Sequence, residues 1–161
     1  MMGLLAYNES IIGDRIIDEI NLEGIGKLLA LTSNDEVNSL SALHFAEVFD
    51  KRNLYQLVPN TERDEIEFSP EHLRGRFLFG KGLNFNFLSK SFQNGAVIKS
   101  TNLTEEFRFE DFRNKYGDAF IPLFLVSNRN NKLIPVVLGE KIDPGEGYTI
   151  IALVESAGQT S

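Results

Sequence analysis

The run Lys27-Leu28-Leu29-Ala30-Leu31-Thr32-Ser33-Asn34-Asp35-Glu36-Val37-Asn38 constrains the fold more than any other part of this chain. Leu28 to Thr32 is a short apolar stretch of the kind that suits a parallel strand covered on both faces. It ends where small hydroxyl and amide side chains begin, and these lead directly into a helical pattern. Ser33 and Glu36 have the S-x-x-E spacing of a capping box, so the first-turn N–H groups should face the carboxyl end of the strand. In open α/β sheets that end is where nucleotides and other small ligands sit. The same residues also serve as a plain helix cap that needs no ligand, with Asn38 facing solvent in the second turn.

The pattern around this run alternates. A strand at Leu4 to Tyr7, a helix at about Ser10 to Ile20, a strand at Lys27 to Thr32, a helix at about Asp35 to Phe49 and a strand at Leu54 to Val58 predict a parallel sheet. Ile12, Ile16, Ile17 and Ile20 give the first helix an apolar face, and Val37, Leu40, Leu43, Phe45, Val48 and Phe49 give the second one. Pro59 to Glu67 is polar and acidic and reads as a linker. Beyond it, Arg76 to Phe79, Ala96 to Ser100, Ile121 to Ser127, Leu133 to Leu138 and Tyr148 to Val154 read as strands. Helices are expected near Pro70 to Arg74, with Ser69 as cap, and at Asn84 to Phe92 and Glu110 to Tyr116. Asn128 to Asn131 reads as a hairpin turn, and Asp143 to Gly147 as a turn into the last strand. The fold class is therefore α/β: a partial parallel sheet over residues 1–58, a linker at 59–67, a small α+β module at 68–155 and a polar tail at 156–161.

Composition removes several functions. With 23 acidic against 16 basic side chains and a net charge of −7, no broad nucleic-acid-binding surface is expected. The absence of cysteine rules out disulfides and cysteine-ligated zinc, and with two histidines no histidine-rich metal site is expected. No segment approaches the roughly 18 apolar residues of a membrane span, and Met1 to Tyr7 lacks the features of a signal peptide. A cytoplasmic protein without direct membrane insertion is the expectation.

Catalytic motifs are missing. Gly75-Arg76-Phe77-Leu78-Phe79-Gly80-Lys81-Gly82 follows the P-loop spacing, but Gly82 stands where the Mg²⁺-binding Ser or Thr belongs, and Phe-Leu-Phe reads as strand. Gly24-Ile25-Gly26 precedes a strand where a dinucleotide fingerprint follows one. His44, within the second helix, reads as structural or surface, and His72 as part of an exposed turn. Asp64, Glu65 and Glu67 fall in the linker, where solvation is their ordinary state. No Ser/His/Asp set has a local context that suggests activation. A non-enzymatic protein is expected.

The block from Asn21 through Asn38, continuing Leu40-Ser41-Ala42-Leu43-His44-Phe45-Ala46, resembles the second half of TrkA-type (KTN/RCK) regulatory domains, in the version attached to NhaP-type sodium/proton antiporters. The resemblance covers residues 4–58. A weaker similarity links Ile121 to Leu125, Leu133 to Pro135 and Ile142 to Ile151 with the small C-terminal module of that family. It implies a Rossmann-like sheet followed by a TrkA-C-like module, in a cytoplasmic domain that binds NAD(H) or an adenine nucleotide such as ATP or AMP. It also implies homodimers that regulate a membrane cation transporter for Na⁺ or K⁺. By position, Thr32, Asn34, Asp35 and Asn38 fall at the family's strand-end turn, and Asn8 in the approximate place of a polar residue after the preceding strand. These five are the candidate nucleotide contacts. The family's N-terminal strand, G-x-G-x-x-G turn and helix are absent from this sequence, with the acidic residue that holds the ribose.

A half sheet also exposes an edge on the Leu4 to Tyr7 or Leu28 to Thr32 side, which another copy or the second module must cover. Three functions follow. The first is a regulatory domain acting by ligand-dependent change in subunit packing. The alternatives are a homo-oligomerisation or interaction module without a ligand, and a small nucleotide-using enzyme.

Overall fold

The computed structural model describes residues 6–13, 16–60, 70 and 74–155. The chain divides into one unit formed by Met1–Leu57 with Thr61–Arg76 and a second formed by Val58–Asn60 with Phe77–Ser161. The fold is mixed α/β, with a small sheet containing a parallel pair and a separate antiparallel sheet.

In the first unit a short helix α1 (Ile16–Glu19) precedes β1 (Leu28–Ala30), α2 (Asp35–His44) and β2 (Leu54–Gln56). β1 and β2 run parallel with Leu28, Leu29 and Ala30 opposite Leu54, Tyr55 and Gln56, and the Leu57 N–H extends the ladder to the Ala30 carbonyl at 3.1 Å. A parallel pair requires a crossover, and α2 supplies it. The helix buries Ala42 and, through the 3₁₀ turn Phe45–Glu47 that follows, Phe45 against Leu54 and Ile16. Phe45 is 1% exposed and stacks on Phe49 with ring centroids 6.0 Å apart. Phe45→Ala would cost about 3–5 kcal/mol. A two-residue strand β3 (Arg76–Phe77) completes the order β1-β2-β3, which leaves β1 at an edge among the described residues.

The second unit is built on a four-stranded sheet of order β4-β7-β5-β6, with β4 (Val97–Asn102), β5 (Phe120–Ser127), β6 (Lys132–Pro135) and β7 (Tyr148–Val154). All its pairings are antiparallel. The period-2 alternation of β7 sends Ile150, Ala152 and Val154 to one cluster with Phe109 and Phe112 of α4 (Phe109–Tyr116), while Leu153 joins Ala96 and Leu123 on the other face. Leu88 of α3 (Phe85–Gln93) packs against that second cluster. Phe112 is fully buried, with Tyr116 and Phe120 rings at 4.7 and 5.0 Å. Pro122 lies in a central strand although it has no N–H for the ladder, and the register shifts between Pro122 and Phe124. The Leu123 carbonyl at this bulge accepts the Val136 N–H at 2.9 Å. Among the described residues no helix is long and apolar enough to cross a membrane.

Several boundaries differ from the sequence expectation. The first helix shrinks to Ile16–Glu19: a turn closes from the Gly13 N–H to the Ser10 carbonyl, and glycine carries a helix penalty of about 1 kcal/mol. Of the expected strand Leu4 to Tyr7, Leu4 and Leu5 lie outside the described residues, and Ala6 and Tyr7 are irregular. The β1 strand stops at Ala30, since Leu31 is 43% exposed, and the half-buried Leu28 and Leu29 show that β1 is not covered on both faces. β2 ends at Gln56. The second helix gives way to a 3₁₀ turn after His44, although the Phe49 N–H still reaches the Phe45 carbonyl at 2.9 Å. Ser33 does not cap α2; Asn34 does. β6 is four residues, and Val136 to Leu138 instead bond the Phe77 to Phe79 run through Phe79 N–H to Val136 O and Leu138 N–H to Phe77 O. The expected helix near Pro70 to Arg74 and the linker carboxylates lie largely or wholly outside the described residues.

Candidate functional site

The turn from Thr32 to Asn38 joins the carboxyl end of β1 to α2, and its polar side chains interlock. Asn34 has extended backbone geometry, φ −102° and ψ 107°, and its Oδ1 accepts the Glu36 and Val37 N–H groups at 3.0 and 3.1 Å. Its own carbonyl accepts the Asn38 N–H at 3.0 Å. Ser33 is exposed and takes no part in the cap. The cap therefore sits one residue farther along than the S-x-x-E reading placed it, with Glu36 and Val37 as its N2 and N3 donors.

Asn38 does not face solvent: it is 0% exposed and ties the turn to the end of the strand. Its Oδ1 accepts from the Thr32 N–H at 3.0 Å and the Thr32 hydroxyl at 2.8 Å, and its Nδ2 donates to the Thr32 carbonyl at 2.9 Å. The Thr32 hydroxyl has one proton. The shorter contact takes it to Asn38, leaving the Oγ1 lone pair to receive the Asn34 N–H at 3.2 Å. A buried amide with this many partners is a satisfied group.

Three of the five candidate contacts, Thr32, Asn34 and Asn38, are thus brought into one network. Asp35 is half-buried at the first helical position beside them. Asn8 is exposed on an irregular stretch and makes no hydrogen bond to the turn. The N-terminus of α2 favours negative charge through its backbone dipoles. A phosphate using the Glu36 and Val37 N–H groups must displace the Asn34 side chain, because both donors are occupied.

Gln56 is the polar residue that motif reasoning passed over. It is 1% exposed at the carboxyl end of β2, opposite Ala30 in the register. Its Nε2 donates to Ser39 Oγ at 3.1 Å and its Oε1 accepts the Gly75 N–H at 2.8 Å, linking α2, β2 and the approach to β3. The signal was a lone amide inside Leu54-Tyr55-Gln56-Leu57-Val58. Gly75 fits because a Cβ there would lie 3.1 Å from the Tyr55 carbonyl carbon and 3.2 Å from the Leu54 oxygen.

The groove beside α2, about 540 Å³ in volume, is lined by Ile12, Ile17, Leu40, Leu43, His44 and Glu47. His44 sits edge-on to Phe45 at 5.5 Å, with its Nε2 buried and without a hydrogen-bond partner. Among the described residues no group of three or more His, Asp or Glu side chains is arranged to hold a metal ion. The Asp50 carboxyl is held low, at about 2, because the Arg52 side chain donates to both its oxygens at 3.2 and 3.0 Å. This pair is exposed to solvent.

No family model, curated protein or solved structure matches this chain.

Proposed function

We propose that the chain is a non-enzymatic cytoplasmic regulatory domain associated with monovalent cation (Na⁺ or K⁺)/proton transport, acting as a homodimer whose packing responds to a ligand. One observation carries the reading: the run that resembles TrkA-type domains folds as a contiguous parallel β1-α2-β2 unit, with its polar turn at the carboxyl end of β1. The ligand proposed for that turn is NAD(H) or an adenine nucleotide. It acts by shifting the population between two dimer arrangements, in proportion to its difference in affinity for them. β1, at the edge of its sheet among the described residues, suits coverage by another chain.

A second reading is favoured by a specific observation. The side-chain polar atoms of Thr32 and Asn38 bond each other's residues and Asn34 Oδ1 takes the first-turn N–H groups, as expected of an assembly module whose turn serves only as a cap. Thermal unfolding against NAD(H), NADP(H), ATP, ADP, AMP and cyclic dinucleotides, with mass measured by light scattering in the same buffers, separates the two. A saturable rise in unfolding temperature with one nucleotide supports the regulatory reading. An unchanged temperature across the panel, in a folded dimer, favours the assembly module. Turnover of any of these nucleotides overturns both.

A further inference from the structure

We propose that β4 is the interface at which two copies of this chain join, pairing antiparallel about a two-fold axis at Ser100 so that their sheets become one. The pairing rests on the homodimer reading and gives it a surface. β4 bonds β7 on one side, and among the described residues no strand lies on its other side. It is six residues long, in unbroken register with β7, and contains no proline. The opposite edge is guarded as solitary edges are: β6 has four residues, begins with exposed Lys132 and ends in Pro135.

The unused backbone groups of β4 are fixed from both of its ends. Leu103 bonds β7, its N–H donating to the Tyr148 carbonyl at 2.9 Å, whereas the Ala96 N–H turns back to the Ser91 carbonyl at 2.9 Å. Antiparallel ladders alternate, so Val97, Lys99 and Thr101 face β7 while Ile98, Ser100 and Asn102 present their N–H and C=O groups outward. The side chains agree. Val97 and Ile98 are 47 and 56% exposed, one on each face of the sheet, because Val97 stands opposite Val154 and Ile98 opposite Leu153. A helix laid on one face covers one of them, whereas a strand added at the edge flanks both.

The free stretch of this edge is symmetric, which fits a second copy of the same strand. Its outward N–H groups are those of Ile98, Ser100 and Asn102, bounded by the Ala96 N–H, held by Ser91, and the Thr104 N–H, held by the Phe107 carbonyl at 3.0 Å. Outward residues must meet outward residues, so the two-fold axis falls at one residue. At Ser100 it pairs Ile98 with Asn102, Ser100 with itself and Lys99 with Thr101, and about six inter-strand bonds form from groups that are all free. An axis at Ile98 or Lys99 draws on the Ala96 N–H, and one at Thr101 on the Thr104 N–H, each already used. An axis at Lys99 also sets two ammonium groups directly opposite each other, which destabilises a cross-strand pair. Lys99 does not guard the edge, since its Nζ lies over the Tyr116 ring at 5.3 Å.

Light scattering of the full chain should give a dimer. Ser100→Pro removes an outward N–H without touching the β4–β7 ladder, so the variant should keep its circular dichroism and self-associate about tenfold more weakly, or worse. Ser100→Ala should leave the dimer intact. The chain has no cysteine of its own, so Ser100→Cys should oxidise to a covalent dimer, with Cα atoms about 5.5 Å apart, while Ile98→Cys, facing Asn102, should not. Hydrogen exchange should show the Ile98, Ser100 and Asn102 amides protected in the dimer and open on dilution. If the proline variant does not fold, the two cysteine variants decide. A dimer unaffected by Ser100→Pro, or one that Ser100→Cys fails to crosslink, overturns the β4 interface and leaves a homodimer joined elsewhere. Crosslinking through Ile98→Cys in place of Ser100→Cys overturns the axis. A monomer at every concentration overturns the interface and the homodimer reading together.

Discussion

Asn38→Asp exchanges one amide nitrogen for oxygen and leaves the shape of the side chain unchanged, so it isolates a single bond of the turn. The wild-type Nδ2 donates to the Thr32 carbonyl at 2.9 Å, from a residue with no solvent exposure. In the variant at neutral pH, a carboxylate oxygen faces that carbonyl oxygen instead. The lost bond costs about 1 kcal/mol, and a buried charged acceptor left without a donor adds about 1–3 kcal/mol. The bonds from the Thr32 N–H and hydroxyl persist, and the nearby start of α2 returns about 0.3–1 kcal/mol. The net is about 2 kcal/mol, or a fall of about 10 °C in unfolding temperature for a unit of this size. Protonation restores the donor, so burial and the facing carbonyl raise the folded-state pKa of the introduced carboxyl above its unfolded value of about 3.9. By linkage, the stability is present below the unfolded value and lost as pH rises through the folded one. Amide exchange of Leu57, whose N–H bonds the Ala30 carbonyl, reads this unit separately from the other. Measured at about pH 4 and pH 7 against the wild type in the same buffers, the deficit should appear mainly at the higher pH. A deficit equal at both values, or none at pH 7, refutes the assigned network.

Asn34→Ala should cost about 1 kcal/mol and Ser33→Ala less than about 0.5 kcal/mol, because only Asn34 bonds the first-turn N–H groups; denaturation midpoints giving the reverse order would return the cap to Ser33. Gly75→Ala should destabilise by about 1–3 kcal/mol, since its methyl group meets rigid β2 backbone at 3.1 to 3.3 Å; a neutral substitution in urea unfolding would mean that the strand yields. The Asp50 carboxyl should titrate near about 2 by carbon-13 NMR and return toward the ordinary range in Arg52→Ala. Its folded-state pKa is depressed, so the small stabilisation from this exposed pair is present above the unfolded pKa and lost as pH falls through about 2. A titration midpoint near 4 in the wild type argues against the pair.

The strong periodic signals carried into the structure because burial enforces them. Tyr148 to Val154 alternates between two core clusters, and a one-residue slip would send Ile150 and Ala152 into the wrong cluster together. α4 follows from Phe109, Phe112 and Tyr116 at helical spacing. At the candidate turn the residue types were legible but their division of labour was not. Ser33 and Asn34 are both good caps by composition, and the backbone angle at Asn34, which no local pattern specifies, decides between them. Asn38 was ambiguous for a related reason. In a second helical turn an asparagine can face water or turn inward, and only the carboxyl end of β1 provides Thr32 with three groups to bond. Gln56 needed a partner seventeen positions back in Ser39 and another nineteen ahead in Gly75, separations invisible to a window on the sequence.

The cap also sets a condition on the nucleotide proposed for this turn. The two N–H groups that an α2-terminal phosphate needs are held by Asn34 Oδ1, so binding and capping compete for the same donors. Releasing the cap costs about 1 kcal/mol, which is about a fivefold penalty in affinity. Asn34→Gly removes the competitor and costs the fold only a few tenths of a kcal/mol, because glycine is itself a tolerated cap. If the cap competes with the ligand, the variant should bind the selected nucleotide about fivefold more tightly while melting slightly lower when free. If the Asn34 side chain instead contacts the nucleotide, affinity should fall. Titration calorimetry of the two chains gives the sign directly. Tighter binding makes Asn34 the element whose two positions couple ligand to structure; weaker binding removes it from that role and makes it a contact.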